Sequence, residues 1–522
     1  MSAAPHGHKE YPPLVGGARV LGTLSLALAT FMNVLDTSIA NVSLPAIAGD
    51  LGVSPVQGTW VITSFAVANA IAVPLTGWLT QRVGQVRLFI ASVLLFVLSS
   101  WLCGMAPNMV MLIAFRTLQG FVAGPMIPLS QTMLLSSYPR AKAGLAMAIF
   151  SIITLVAPIT GPMLGGWITD NVSWSWIFFI NVPVGLIAAA MVWSVYHKRE
   201  SATRRMPIDA VGLALLVVWV GSLQIMLDKG KELDWFASPM IVSLAVVAAV
   251  GCVVFLVWEL TEAHPVVDLT LFARRNFWAG ALATSVAYGL FFGNVVILPL
   301  WLQQYMGYTA TDAGMIMAPV GILAIVVAPM VGLTVNRVDP RIFITFSFVV
   351  FWVVFMLRSH FTTSTDFGTL MVPTLIQGVA MATFFIPLIT VTLSGLPPWR
   401  IAAASGLSNF TRITAGAFGT SISTTMWENR ATMHHAQLTE AVQLGNPQAV
   451  QAIDGLQALG MSHDQALASI NSLVTQQAYM ISTQEIFFGS AMVFLSLIAL
   501  VWLAVERVPS IKSDPGAAAG AH

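Results

Sequence analysis

Stretches of about twenty apolar residues recur along almost the whole chain. They fall at roughly 20–44, 57–79, 87–106, 109–135, 143–168, 176–196, 210–227, 240–260, 277–302, 313–335, 341–357, 369–393, 402–426 and 485–504. A helix of that length crosses the hydrocarbon core of a bilayer, and only helices or closed barrels satisfy their backbone polar groups there. Of the 522 residues, 57% are hydrophobic and 9% charged, against roughly 25% charged in a soluble domain. The expected fold class is therefore an all-α polytopic membrane protein with fourteen transmembrane helices. An even number of spans puts both termini on one side.

The basic residues orient the bundle. With the termini in the cytoplasm, 17 of the 23 Lys and Arg lie on that side, including Lys198, Arg199, Arg204 and Arg205. Lys229, Lys231, Arg358 and Arg430 are then outside, and Arg116 and Arg412 within spans. The positive-inside rule supports this topology. The net charge of +1 implies no nucleic-acid surface. Cys103 and Cys252 both lie in apolar runs, so no disulfide framework is expected.

The chain also repeats itself. Pro74, Gly77 and Arg82 recur 255 residues later as Pro329, Gly332 and Arg337; Gln119, Gly120, Thr132, Ser136 and Pro139 recur at 258 as Gln377, Gly378, Thr390, Ser394 and Pro397. Two parallel six-span halves, a known transporter plan with a midplane site between the halves, follow from this register. The expected organisation is a cytoplasmic segment 1–19, a six-helix bundle 20–200, two inserted spans 201–270, and a second bundle 271–504. A tail, 505–522, reads as disordered. The second bundle carries an outer loop, 427–484, read as an amphipathic helical hairpin. Asn446-Pro447 opens one of its helices, and Ser462 with Gln465 forms a capping box opening the other.

One carboxylate, Asp36, sits inside the first span, where a charge costs roughly 2.5–3.5 kcal/mol even on the mildest scale. Asn33, Asp36, Ala40 and Ser43 share a small, polar helix face. Asp36 lies about eight residues before span one exits, and Arg116 about eight after span four enters, so the two stand at similar depth and can pair. The competing reading is a static tie between helices, weakened because a buried pair is costly to maintain. Polar residues within spans, Asn33, Thr37, Asn41, Gln119, Asn294, Gln377 and Arg412, are candidates to line a substrate cavity. Arg412 either meets an anionic group of a substrate or bonds backbone carbonyls.

Two segments read as moving parts. The loop from Gly77 to Arg87 places Gly77, Arg82, Gly84 and Arg87 between spans two and three as a gate. In span five, Pro158, Gly161, Pro162, Gly165 and Gly166 predict a bent, closely packed helix acting as a hinge or seal. His434, His435 and His463 lack the spacing of a metal site. No phosphate loop, nucleophile elbow or zinc-protease motif is present, which argues against direct ATP coupling and against an enzyme. No cofactor is expected.

Taken together, these motifs resemble the major facilitator superfamily in its fourteen-span drug:proton antiporter branch, over the whole chain. Leu35–Pro45 (LDTSIANVSLP) resembles the branch's first-span motif, and Gly77–Arg87 the superfamily's gate motif. Phe115-Arg116 through Gln119-Gly120 resembles its span-four motif, and Ala157-Pro158 through Gly166 its antiporter motif. Trp174–Pro183 resembles the same branch. The resemblance implies export of hydrophobic toxic compounds across a bacterial inner membrane, driven by the proton gradient, with Asp36 and Arg116 as the coupling pair. It implies as partners a periplasmic adaptor of the EmrA type and, through it, a TolC-like outer-membrane channel. The gate loop departs from the family pattern, with Gln81 where an acid is usual and Gln85 where a base is usual. On the coupling scheme so implied, deprotonated Asp36 favours the inward-facing state. Two alternatives remain: an exporter of fatty acids or other hydrophobic anions, with Arg412 as anion contact, and a non-transporting sensor or scaffold.

Overall fold

In the computed structural model, residues 11–504 are described, other than 54, 140–141, 204–206, 208, 264, 336, 441 and 443–445. The tail 505–522, residues 1–10, and Arg204 and Arg205 lie outside the described residues, as do the side chains of Pro158 and Pro162.

The described chain is a bundle of long helices. They are α1 (Gly16–Asp50), α2 (Trp60–Ala72 and, beyond a 63° bend, Thr76–Val83), α3 (Gln85–Gly104), α4 (Met109–Ser137), α5 (Ala143–Asn171), α6 (Trp176–Tyr196) and α7 (Ala210–Lys229). Then follow α8 (Pro239–Thr261), α9 (Arg275–Tyr305), α10 (Asp312–Thr334), α11 (Pro340–Arg358), α12 (Phe367–Leu393), α13 (Pro398–Glu440), the short α14 (Pro447–Ala458) and α15 (His463–Ala504). Eleven of these are long and apolar enough to cross a membrane, and the bent α2 makes twelve. The other two expected spans are α5 and α13, both long and both packed among the rest. α13 is weakly apolar because it carries Arg400, Arg412, Glu428 and Arg430 with many Ser and Thr.

Local chemistry sets the ends and bends. Asn108 accepts from Met111 N at 3.0 Å to start α4, and Asp209 accepts from Gly212 N at 2.8 Å to start α7. Such caps satisfy backbone donors that the helix leaves open. The bend in α2 falls at Pro74, which lacks the N–H a continuous helix needs.

Packing repeats with the sequence. α1 packs on α5 and α6, α2 on α4, and α3 on α4 and α6. In the second half α9 packs on α13 and α15, α10 on α12, and α11 on α12 and α15. The inserted α7 lies against α2 and α13, one helix from each half, with α8 behind it.

The outer loop differs from the expected separate hairpin. α13 runs unbroken to Glu440 and α15 begins at His463, so two long bundle helices simply continue beyond the bundle, with α14 packed on α15. The caps at its turns are those read from sequence: Asn446 accepts from Gln448 N at 3.0 Å, and Ser462 and Gln465 bond reciprocally at 2.9 and 3.3 Å. We call the end of the bundle carrying α14 the hairpin face and the opposite end the terminal face.

Candidate functional site

Asp36 is fully buried on α1, between α3, α4 and α6. Its Oδ2 accepts from Arg116 Nη1 at 2.6 Å, and its Oδ1 from Gln119 Nε2 at 3.1 Å and Asn181 Nδ2 at 2.8 Å. Arg116 donates through Nε to Val61 O at 3.1 Å and through Nη1 to Gln119 Oε1 at 2.7 Å. Its guanidinium carbon lies 4.3 Å from the Phe65 ring centroid and 5.5 Å from that of Phe178. Arg116 is 1% exposed and Asp36 0%. The pair is thus a desolvated, multiply bonded ion pair, stable only while both charges are present.

Residues beyond the expected pair complete the cage. Asn181 also donates to Ser100 Oγ at 2.9 Å, and Ser100 donates to Phe178 O at 2.9 Å. Cys103 Sγ lies 3.6 Å from Gln119 Oε1. Asn181 is a lone amide within an apolar span, which is the signal that could have singled it out.

α5 comes close beside this cluster because of its glycines. A Cβ on Gly161 would stand 2.6 Å from Ser38 Cβ, and one on Gly165 2.7 Å from Ile39 Cγ1. Gly166 is looser, 3.8 Å from Val42. α5 is one continuous helix through the expected hinge, so these glycines act here as a packing face against α1.

The gate loop is built differently from expectation. Gly84 has φ +97°, and Glu200, from the segment after α6, occupies the space beside it. The Glu200 carboxylate accepts from Val86 N at 2.9 Å and Arg87 N at 3.0 Å, capping α3, and its Oε2 lies 3.9 Å from Arg87 Nε. An acid therefore reaches the loop from elsewhere in the chain, although Gln81 supplies none. Arg82 lies 5.3 Å from the Trp78 ring centroid. Gly77 touches the second half: its Cβ would meet Ala403 Cβ at 2.6 Å.

That contact belongs to a seal across the terminal face. A Cβ on Gly144 would fall 2.3 Å from Gly332 O, and one on Gly406 3.0 Å from Val73 O. Gln131 Oε1 accepts from Ser405 Oγ and, at 2.9 Å, from Asn409 Nδ2. The Asp36–Arg116 pair is intact while this face is shut.

The cavity candidates separate into three groups. Asn33 donates to Ala123 O at 3.4 Å and Gln119 belongs to the ion-pair cage, so both are buried inside the first half. Asn294 donates to Ser490 Oγ at 2.9 Å, and Gln377 accepts from Arg358 Nη2 at 2.8 Å, so both are committed inside the second half. These four amides meet partners within their own bundles. Thr37 and Asn41 are exposed on α1. Arg412 is buried where the halves meet, beside Asn409.

Two cations read as external are buried instead. Arg358 is 2% exposed at the end of α11, where Nη2 donates to Thr374 Oγ1 at 2.9 Å as well as to Gln377. Lys229 is 4% exposed, bonded to Thr59 and, at 3.0 Å, to Glu232. In each case a long side chain turns back from a helix end into the protein, which hydropathy cannot register.

Among the described residues no group of three or more His, Cys, Asp or Glu side chains is placed to hold a metal. His434 lies 3.0 Å from Glu485 Oε1, while His435 faces Asn471 at 3.1 Å.

The chain is 54% identical to the multidrug export protein EmrB of Escherichia coli K12 over 95% of its length and 97% of that protein. It is 50% identical to the fatty acid resistance protein FarB of Neisseria gonorrhoeae, over 95% and 98% of the two chains. The structure matches that of the human organic anion transporter MFSD10 (TETRAN) with TM-score 0.60 at 12% identity, covering 92% of this chain and 99% of that one, a likeness of fold alone. The family model described as Major Facilitator Superfamily matches residues 26–420. By its helix packing, its relatives and that match, the chain belongs to the major facilitator superfamily.

Proposed function

We propose that the protein is a secondary active transporter that exports hydrophobic toxic compounds across a bacterial inner membrane in exchange for protons, with both termini and the sealed face in the cytoplasm. The buried Asp36–Arg116 pair carries this reading, together with relatives named for multidrug export. A proton on Asp36 removes its attraction for Arg116 and leaves a guanidinium uncompensated among Phe65, Phe178 and Gln119. The charged and protonated forms therefore favour different packings of α1, α2 and α4. Because α5 touches α1 at Gly161 and Gly165 and reaches the second half at Gly144, the change has a contiguous route to the seal. A membrane potential contributes about 2.3 kcal/mol per elementary charge per 100 mV to such an exchange.

The outward extension of α13 and α15 fits the further reading that the protein is the pump of a tripartite system. It presents Leu459, Leu467 and Leu473, 80%, 39% and 57% exposed, to a periplasmic adaptor, and through it to an outer-membrane channel. Deleting 446–480 is expected to abolish co-purification with that adaptor; retained co-purification removes the docking role. The transport reading is tested on purified protein in liposomes with a chemically varied panel of compounds. Substrate-dependent proton flux is expected, and its absence across the panel contradicts it.

A further inference from the structure

Among the described residues Arg412 is the one buried cation placed against the Gln131 latch, and the Asp36 site makes no use of it. It is 8% exposed, and Nη2 donates to Asn409 Oδ1 at 2.6 Å. Its Nε has no acceptor, and it enters no ion pair among the described residues. The guanidinium carbon lies 5.0 Å from the ring centroid of Tyr288 and 5.9 Å from that of Phe385. Beside it is a cavity of about 10 Å³ lined by Gln131 from the first half and by Thr284, Thr392, Ser405 and Asn409 from the second. Every polar neighbour in that lining is neutral. A guanidinium in such surroundings is under-compensated, and the cost is relieved when an anion arrives.

We propose that Arg412 is the receptor for the carboxylate of an anionic amphiphile carried along the seam between the halves, a reading that rests on the transport function above. The Nε–H and Nη2–H edge of the guanidinium matches the two oxygens of a carboxylate side-on once Asn409 releases Nη2. The aromatic rings of Tyr288 and Phe385 and the apolar Ile389 and Leu393 offer a surface for the adjoining alkyl chain. The sealed cavity holds about one water, so the carboxylate enters only when the halves part. Asn409 links the two events: its Nδ2 donates to Gln131 across the seam while its Oδ1 occupies Arg412. A carboxylate on Arg412 competes with Asn409 for Nη2, so binding of the anion and closure of the latch oppose each other. Cationic cargo does not require this contact.

The test compares laurate with dodecyltrimethylammonium, which share an alkyl chain and differ in head-group charge. Binding is measured to the full chain in phosphatidylcholine nanodiscs without a proton gradient. Arg412→Gln is expected to weaken laurate by about tenfold or more and leave the cation within about twofold, with Arg412→Lys intermediate. Asn409→Ala, which keeps the arginine and removes its competitor, is expected to tighten laurate. Unchanged laurate affinity in Arg412→Gln overturns the proposal. So does equal loss of both amphiphiles there together with unchanged laurate affinity in Asn409→Ala. Adding phosphatidylglycerol to the discs separates a cargo carboxylate from a lipid phosphate: laurate affinity is expected to hold within about threefold, and displacement assigns the arginine to lipid and overturns the proposal. These readouts involve no ion flux, so their failure is distinguishable from failure of proton coupling.

Discussion

In the first half a buried guanidinium meets a carboxylate; in the second a buried guanidinium meets only a hydroxyl and an amide. The offset of 258 residues places Asn294 in register with Asp36, Gln377 with Gln119, Thr374 with Arg116 and Arg358 with Ser100. The acid has become an amide, and the arginine has moved from the fourth helix of the repeat to the third. Arg358 rests on Thr374 and Gln377, with Nε unpartnered, near the rings of Phe355 and Phe487 at 5.6 and 5.9 Å. Asn294 is tied to Ser490. Both halves keep polar groups in this part of the fold, but among the described residues only the first places a titratable acid against its arginine. The buried acid–arginine pair is therefore placed asymmetrically on a symmetric scaffold.

The largest effect that bears on this contrast comes from the arginines. Arg116→Ala strands a buried carboxylate and is expected to destabilise the protein by about 3–5 kcal/mol, read from thermal unfolding of the purified protein. Arg358→Met replaces an unpaired buried charge with an apolar chain of similar length and is expected to leave stability unchanged or raised. The reverse ranking breaks the comparison. Next come the amides. Asn181→Ala removes a donor from Asp36 and is expected to cost about 1–3 kcal/mol and to lower proton-driven export severalfold. Asn294→Ala is expected to lower stability by a similar or smaller amount while export per folded molecule stays near the parent; equal transport defects would mean both halves take part in coupling. The smallest effect is expected at the gate loop. Glu200→Gln weakens the cap of α3 by about 1 kcal/mol, mostly through the backbone bonds to Val86 and Arg87, since the Arg87 side chain is largely exposed.

Much of this was legible in the sequence because depth within a membrane helix is a counting problem. Asp36 and Arg116 could be matched by residues from a helix end, and the repeat could be read from Gly, Pro and Arg in register. Which way a side chain turns was not legible. Arg358 and Lys229 stand at helix ends where hydropathy puts them in water, yet both fold inward. Glu200 is distant in sequence from the loop that it caps, and the extension of α13 to Glu440 passes through residues too polar to register as a span. An intramembrane amide such as Asn294 or Gln377 invites assignment to a cavity, but a hydrogen bond to a neighbouring helix satisfies it equally well.

The central claim is that the Asp36 carboxyl couples proton entry to export. It is tested most directly by Asp36→Asn in liposomes, measuring drug movement with and without an imposed proton gradient. Uphill export and drug-dependent proton flux are expected to vanish while downhill drug exchange persists. Uphill export at the parent rate by the asparagine variant would contradict the account.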